Sequence, residues 1–165
     1  MQKAKFSGCI LRVQIKSTEG VSNMTQIQVI AHRGASRAER ENTLAAFRRA
    51  ATMGANAVEL DVRRTSDGAM AVHHDAVLPD GRLICEITAV QLPDHVPLLP
   101  AALDACEGMW VNIEIKNHPI DADFDPSDSL AATIATHLTE RGEDHRWLIS
   151  AFTEYYTALG KKPVL

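Results

Sequence analysis

The chain has 165 residues, 45% of them hydrophobic, and a formal net charge of -4. That is the size of one globular domain able to bury its own core, and the acidic balance with scattered Lys and Arg excludes the basic patch of a nucleic-acid binder. No apolar run reaches the roughly 18 residues that a membrane span requires.

Residues 1–26 show no clear helix or strand periodicity beyond a weak strand at Ile10–Ile15. Met24 stands just before the first good strand, as a downstream start codon would. A loosely held leader over 1–26 and one domain over 27–165 are therefore expected. Phe6-Ser7-Gly8-Cys9 has the cysteine of a lipoprotein cleavage site without the apolar stretch that must precede it. Cys9, Cys85 and Cys106 are odd in number and far apart, which fits reduced thiols in a cytoplasmic protein.

From Ile27 the pattern becomes regular. Ile27–Ala31 reads as a short apolar strand. Asn42 can cap a helix whose apolar side is Leu44, Phe47 and Ala51, stopped at Gly54. Ala57–Arg63 is the second strand. Thr65-Ser66-Asp67-Gly68 is a turn signal, and Ala69–His73 returns as a strand. A helix with Leu99, Ala102, Leu103 and Cys106 on one side follows Pro97 and Pro100. Met109–Lys116 is the third main strand, and 117–128 is a polar loop with two prolines and four aspartates. Ser127–Arg141 is a helix, Trp147–Phe152 a fourth main strand, Thr153–Leu159 a last helix, and Pro163-Val164-Leu165 the start of another strand.

Strands separated by helices imply a parallel α/β sheet. The link between Arg63 and Ala69 is too short for a helical crossover, so this pair is a hairpin. Counting back from its turn puts His74 roughly opposite Glu59.

Side chains two apart on a strand share a face. Glu59 and Asp61 therefore share one face of the second strand, and Glu114 and Lys116 share one face of the third. The opposite faces are aliphatic. In parallel α/β folds the site lies at the C-terminal ends of the strands. His32 and Arg33 follow strand one, Glu59 and Asp61 end strand two, Glu114 and Lys116 end strand three, and Ser150 and Phe152 end strand four. Clustered carboxylate oxygens suit a hard divalent cation, Ca²⁺ or Mg²⁺, while the absence of thiolates and of zinc spacing disfavours zinc. Arg33 and Lys116 are anion donors. Two histidines can act as base and acid on either side of a displacement. Together these ingredients describe phosphoryl-ester cleavage.

The motifs Ala31-His32-Arg33-Gly34, Glu41-Asn42-Thr43, Val58-Glu59-Leu60-Asp61-Val62, Thr65-Ser66-Asp67-Gly68, His74-Asp75 and Glu114-Ile115-Lys116 occur in that order. The stretch from about Ile27 to Phe152 resembles the glycerophosphodiester phosphodiesterase family. The resemblance implies a (β/α)₈ barrel of the TIM type that hydrolyses glycerophosphodiesters to glycerol 3-phosphate and an alcohol. It implies Glu59, Asp61 and Glu114 as metal ligands, His32 and His74 as the acid/base pair, and Arg33 and Lys116 as phosphate ligands. The substrate's own glycerol hydroxyl would be the attacking group.

Two departures stand out. Arg40 occupies the position before Glu-Asn-Thr where the family usually has Pro. The chain supplies about the first four to five βα units of the barrel, without counterparts of the family's later W-T and T-D motifs. A partial barrel has open edges, so self-association or a separate C-terminal half is one expectation. An inactive fragment that binds metal or phosphate without turnover is the alternative to a working enzyme. Elsewhere, His95, His118, His137 and His145 read as surface residues, Trp110 and Trp147 as packing residues, and Asp121, Asp123 and Asp125 as a solvated acidic loop.

Overall fold

A computed structural model of the chain describes residues 28–151. The expected leader over 1–26, Phe152, the helix Thr153–Leu159 and the strand at Pro163–Leu165 lie outside the described residues. Five strands form one sheet: β1 (Ile30–His32), β2 (Ala57–Arg64), β3 (Met70–Val72), β4 (Trp110–Ile115) and β5 (Trp147–Ala151). The order is β1-β2-β4-β5 with parallel pairing, and β3 joins β2 antiparallel. Helix α1 (Leu44–Thr52) links β1 to β2, α2 (Leu99–Ala105) precedes β4, and α3 (Ser129–Arg141) links β4 to β5.

The long strand β2 organises the sheet. On one flank it pairs with β4 from Ala57 to Val62. On the other, β1 pairs only as far as Glu59, and β3 takes over from Val62 to Arg64. The hairpin forms because Thr65, Asp67 and Gly68 close the turn. Thr65 Oγ1 accepts from Ala69 N at 2.9 Å, and Gly68 takes the positive φ of +81°.

The two faces of the sheet differ as the alternation requires. Val58, Leu60 and Val62 of β2 and Val111, Ile113 and Ile115 of β4 belong to one core with Phe47 and Ala50 of α1, Leu99, Ala102 and Leu103 of α2, and Leu130, Ile134 and Leu138 of α3. Each fully buried Leu, Ile or Phe here contributes about 1.5–3 kcal/mol relative to exposure. Helices thus pack on the aliphatic face, and the other face carries Glu59, Asp61, Asn112 and Glu114. Helices on one face and polar side chains on the other is the layering expected of a parallel barrel wall. Among the described residues the sheet is open, with Leu148 and Ile149 of β5 exposed. A second small core of Ala71, Leu78, Ile84, Ile87 and Val96 supports the loop between β3 and α2.

Helix starts differ from expectation in two places, the first being α3, which begins at Ser129 rather than Ser127. Thr43, not Asn42, caps α1, its Oγ1 accepting from Ala46 N at 3.2 Å. Asn42 adopts a positive φ of +54° and turns its amide elsewhere.

Cys106 is buried between α2 and β4, and burial pushes its thiol up to about 12. A thiol at that value is not a nucleophile at neutral pH. Iodoacetamide applied to the native protein at pH 8, followed by peptide mass spectrometry, should leave Cys106 unmodified, and urea should expose it. Labelling of Cys106 in the native protein would show that this part of the core opens.

Candidate active site

The site is built from the C-terminal ends of β1, β2 and β4. After the three-residue strand β1 the backbone turns sharply, with Arg33 at φ +56° and Gly34 at φ +79°. Arg33 N–H donates to the Glu59 carbonyl at 2.9 Å and to Glu59 Oε2 at 3.0 Å. The turn thereby locks the first motif onto β2 and orients one carboxylate. Gly34 has a steric reason to be glycine: a Cβ there would lie 2.8 Å from the Ala46 backbone carbon.

The parallel register of β2 and β4 sets Asp61 level with Glu114 and Glu59 level with Asn112. One oxygen from each of Glu59, Asp61 and Glu114 lies within 4.8 Å of the other two. Asp61 is completely buried and is the most heavily compensated of the three. Arg33 Nε stands 3.1 Å from its Oδ2 and Lys116 Nζ 3.0 Å from its Oδ1, and Asn42 Nδ2 donates to Oδ2 at 2.8 Å. Lys116 also pairs with Glu114. Glu59 is different. Its Oε1 is buried and has no hydrogen-bond partner, and burial followed by the neighbouring Asp61 charge pushes its carboxyl up to about 7.

Both histidines differ from the carboxylates in exposure and partners. His32 Nε2 lies 3.8 Å from Glu59 Oε2, and the ring is about half exposed. Burial and then Arg33 hold its pKa below the ordinary value. His74 is held from another direction: its Nδ1 meets Asp75 Oδ1 at 2.7 Å. The expected opposition of His74 and Glu59 is corrected by the hairpin register. Val62 faces Val72 and His73 N–H donates to the Asp61 carbonyl at 3.0 Å. Counting on two residues, Asp75 is level with Glu59. Pairing in β3 ends at Val72, so the His-Asp segment is positioned by its loop contacts.

The strongest of those contacts comes from Arg63. Its Nε–H donates to the His74 carbonyl at 2.7 Å, Nη1 to both Asp123 oxygens at 2.6 and 2.8 Å, and Nη2 to Asp121 at 3.1 Å. The acidic loop is therefore not a solvated one. The Asp123 side chain is only 3% exposed and closes an ion-pair strap over Arg63. This strap joins the His-Asp segment to the loop that follows Glu114 and Lys116.

Known proteins resemble this chain in sequence and in fold. Residues 32–158 match the glycerophosphoryl diester phosphodiesterase family. The chain belongs to that family. Among similar proteins, glycerophosphodiester phosphodiesterase 1 of Mus musculus is 35% identical, the match covering 70% of this chain and 46% of that protein. The Bos taurus protein of the same name is 44% identical over 74% of this chain and 48% of its own length. The chain thus spans about half the length of these relatives. A phosphodiesterase of Oleispira antarctica, solved in complex with the product sn-glycerol-3-phosphate, is 29% identical with a TM-score of 0.69, covering 80% of this chain and 62% of that one. A Thermotoga maritima glycerophosphodiester phosphodiesterase is 29% identical with a TM-score of 0.64, covering 76% and 54%. The fold is accordingly α/β, a part of the TIM-type barrel of this phosphodiesterase family.

Two residues of the site in this family member, Asn112 and Arg63, escape the sequence reading, and a third, Asn42, is read there chiefly as a cap. Asn42 reads as a helix cap because Asn is common there, yet its side chain orients Asp61. Asn112 lies on the same face as Glu114, two residues earlier, and its buried Oδ1 has no hydrogen-bond partner. The two-residue period could have found it. Arg63 continues the Glu59, Asp61 alternation in the same way, but its partners are 58 and 60 residues distant. His95, expected at the surface, is half-buried, and its Nε2 is enclosed without a partner.

Two measurements follow from these contacts. Gly34→Ala should lose about 1–3 kcal/mol in urea unfolding, the cost of a strained positive φ. Wild-type stability would show that the turn relaxes. Arg63→Met leaves Asp123 charged, buried and unpaired and should cost about 3–5 kcal/mol. Adding Asp123→Leu should recover part of that loss, whereas simple additivity would show that the strap carries no coupling.

Proposed function

We propose that this site hydrolyses glycerophosphodiesters to glycerol 3-phosphate and an alcohol with the help of one divalent cation. The observation carrying the reading is the convergence of Glu59, Asp61 and Glu114 oxygens, with one buried Glu59 oxygen lacking any partner. An unsatisfied buried carboxylate oxygen is costly, and raised protonation of Glu59 is what crowded acids do without a cation. Three oxygen donors suit Ca²⁺ or Mg²⁺, so Glu59, Asp61 and Glu114 would hold the ion. The ion would supply positive charge to the phosphoryl oxygens.

The chain's own residues supply the rest. Arg33 spends Nε on Asp61 and Nη1 on Glu41. Its Nη2 has no hydrogen bond among the described residues and is available to a phosphate oxygen. Lys116, its ammonium group held between Asp61 and Glu114, adds a second positive charge for the phosphate. His32 and His74 divide the proton transfers. One takes the proton of the attacking glycerol hydroxyl, and the other gives a proton to the departing alkoxide as its P–O bond breaks. Water then opens the cyclic phosphate to glycerol 3-phosphate by the reverse proton path. The product named in the Oleispira antarctica complex supports the same product here. Among the described residues no helix is long and apolar enough to cross a membrane, and Cys85 and Cys106 are free thiols. The free thiols support a cytoplasmic setting.

The 165-residue chain, supplied with Ca²⁺ or Mg²⁺, should release glycerol 3-phosphate from glycerophosphodiesters, measured by coupled oxidation. A chelator should abolish release and added cation restore it. Glu59→Gln and His32→Ala should each reduce the rate by about a hundredfold or more while circular dichroism stays unchanged. Near-parental rates in either variant would remove that residue from the mechanism. Cation and glycerol phosphate binding with no turnover of any diester would instead indicate a binding fragment.

A further inference from the structure

Arg63 lies on the site face of β2, two residues beyond Asp61, where an arginine open to solvent would serve as an anion ligand. This one is closed off. Its side chain is 4% exposed, and each of its three guanidinium nitrogens is engaged within the protein. We propose that Arg63 is a positioning residue for His74: it fixes the peptide from which the imidazole projects and sets it against the Glu114–Lys116 end of β4. The inference rests on the phosphodiesterase reading above and adds the residue through which His74 is held for proton transfer.

Pairing between β2 and β3 ends at Val72, and His73 N–H makes a last bond back to β2, to the Asp61 carbonyl at 3.0 Å. Beyond it the chain leaves the sheet, and Arg63 Nε–H catches the His74 carbonyl at 2.7 Å. That carbonyl and the Asp75 N–H belong to one planar peptide. A single hydrogen bond therefore fixes the plane between the imidazole and the Asp75 carboxylate that its Nδ1 meets at 2.7 Å. The far side of the guanidinium is fixed from β4. Nη1 donates to both Asp123 oxygens at 2.6 and 2.8 Å, and Nη2 to Asp121 Oδ2 at 3.1 Å. The loop that carries these aspartates is itself tied down. Asn117, the residue after Lys116, donates from Nδ2 to the Asp125 carbonyl and accepts from the Asp125 N–H, both at 2.8 Å. Lys116 N–H reaches the Val62 carbonyl at 3.0 Å. Two strand ends and one loop thus form a frame around Arg63, and the His74 peptide hangs from it.

Proton transfer needs the imidazole in a near-attack position, and a misplacement of about 1 Å costs on the order of a hundredfold in rate. Arginine suits the task because its planar guanidinium fixes three directions at once, whereas a lysine offers one flexible point charge. The ion pair and the carbonyl bond are separable. Replacing Arg63 and Asp123 together by apolar groups removes both buried charges and with them the cost of an unpaired one. It also leaves the His74 carbonyl without its donor.

Stability and turnover should therefore part in one variant. The urea midpoint of Arg63→Met with Asp123→Leu should lie above that of Arg63→Met alone. Its kcat on glycerophosphodiesters, measured in the 165-residue chain with added Ca²⁺ or Mg²⁺, should stay about ten- to hundredfold below the parent, with KM changed by less than about twofold. Recovery of kcat together with stability would make the strap a structural ion pair only and overturn the proposal. Arg63→Lys keeps a charge for Asp123 and cannot span three partners. It should show the same loss of kcat, and it carries the test if the double variant does not fold. Nitrogen-15 relaxation reads the same peptide without substrate. The Asp75 amide order parameter should fall from about 0.85 in the parent to below about 0.6 in either variant, with the His32 amide unchanged. An Asp75 amide that stays rigid in the variants, or is already mobile in the parent, overturns the proposal. Turnover of no glycerophosphodiester by the parent refutes the phosphodiesterase reading instead, and the relaxation result then decides by itself whether Arg63 fixes His74.

Discussion

The parallel register between β2 and β4 is the constraint on which the site depends. It sets Asp61 beside Glu114 and, by the two-residue period, turns Glu59, Asp61 and Glu114 to one face. A slip of β2 by one residue would send Glu59 and Asp61 into the aliphatic core and bring Leu60 to the site face, and a slip of β4 would do the same to Glu114 and Ile113. The apolar residues on the opposite face prevent that shift. Packing of Val58, Leu60, Val62, Val111, Ile113 and Ile115 against three helices therefore determines the position of the acids.

Holding three carboxylates together requires compensating charge, and the chain supplies it unequally. Asp61, the most buried, receives Arg33, Lys116 and Asn42. Glu114 shares Lys116 with it. Glu59 receives only the Arg33 backbone N–H and the nearby His32, and its remaining oxygen is unpaired. Compensating charge is thus concentrated on Asp61 and thin at Glu59, an imbalance that a cation held by the three acids, as proposed, would offset.

Loops complete what the strands begin. β1 is short, so the Arg33-Gly34 turn starts early and can dock its N–H on Glu59. β3 is also short, so the His-Asp segment leaves the sheet before it reaches Glu59 and needs an anchor. Arg63 provides one through the His74 carbonyl, with Asp123 and Asp121 holding the guanidinium. A buried arginine whose Nε, Nη1 and Nη2 each reach a different partner group is a rigid post, because its planar guanidinium fixes the three directions at once.

Much of this was legible in the order of residues. Apolar alternation with acids identifies β2 and β4, the Thr65–Gly68 turn identifies the hairpin, and the motifs from His32 to Lys116 identify the family. These are local signals, set by side-chain period and turn chemistry over a few residues. Other features only the tertiary structure decided. Asn42 looks like a cap until its amide is seen on Asp61, and the aspartates of the 117–128 loop look solvated until Arg63 reaches them. His95 looks like a surface residue until its Nε2 is found buried without a hydrogen-bond partner. Each of these joins groups remote in sequence, and no periodicity records such a contact, because it arises only when the packed core brings separate loops to the same end of the sheet.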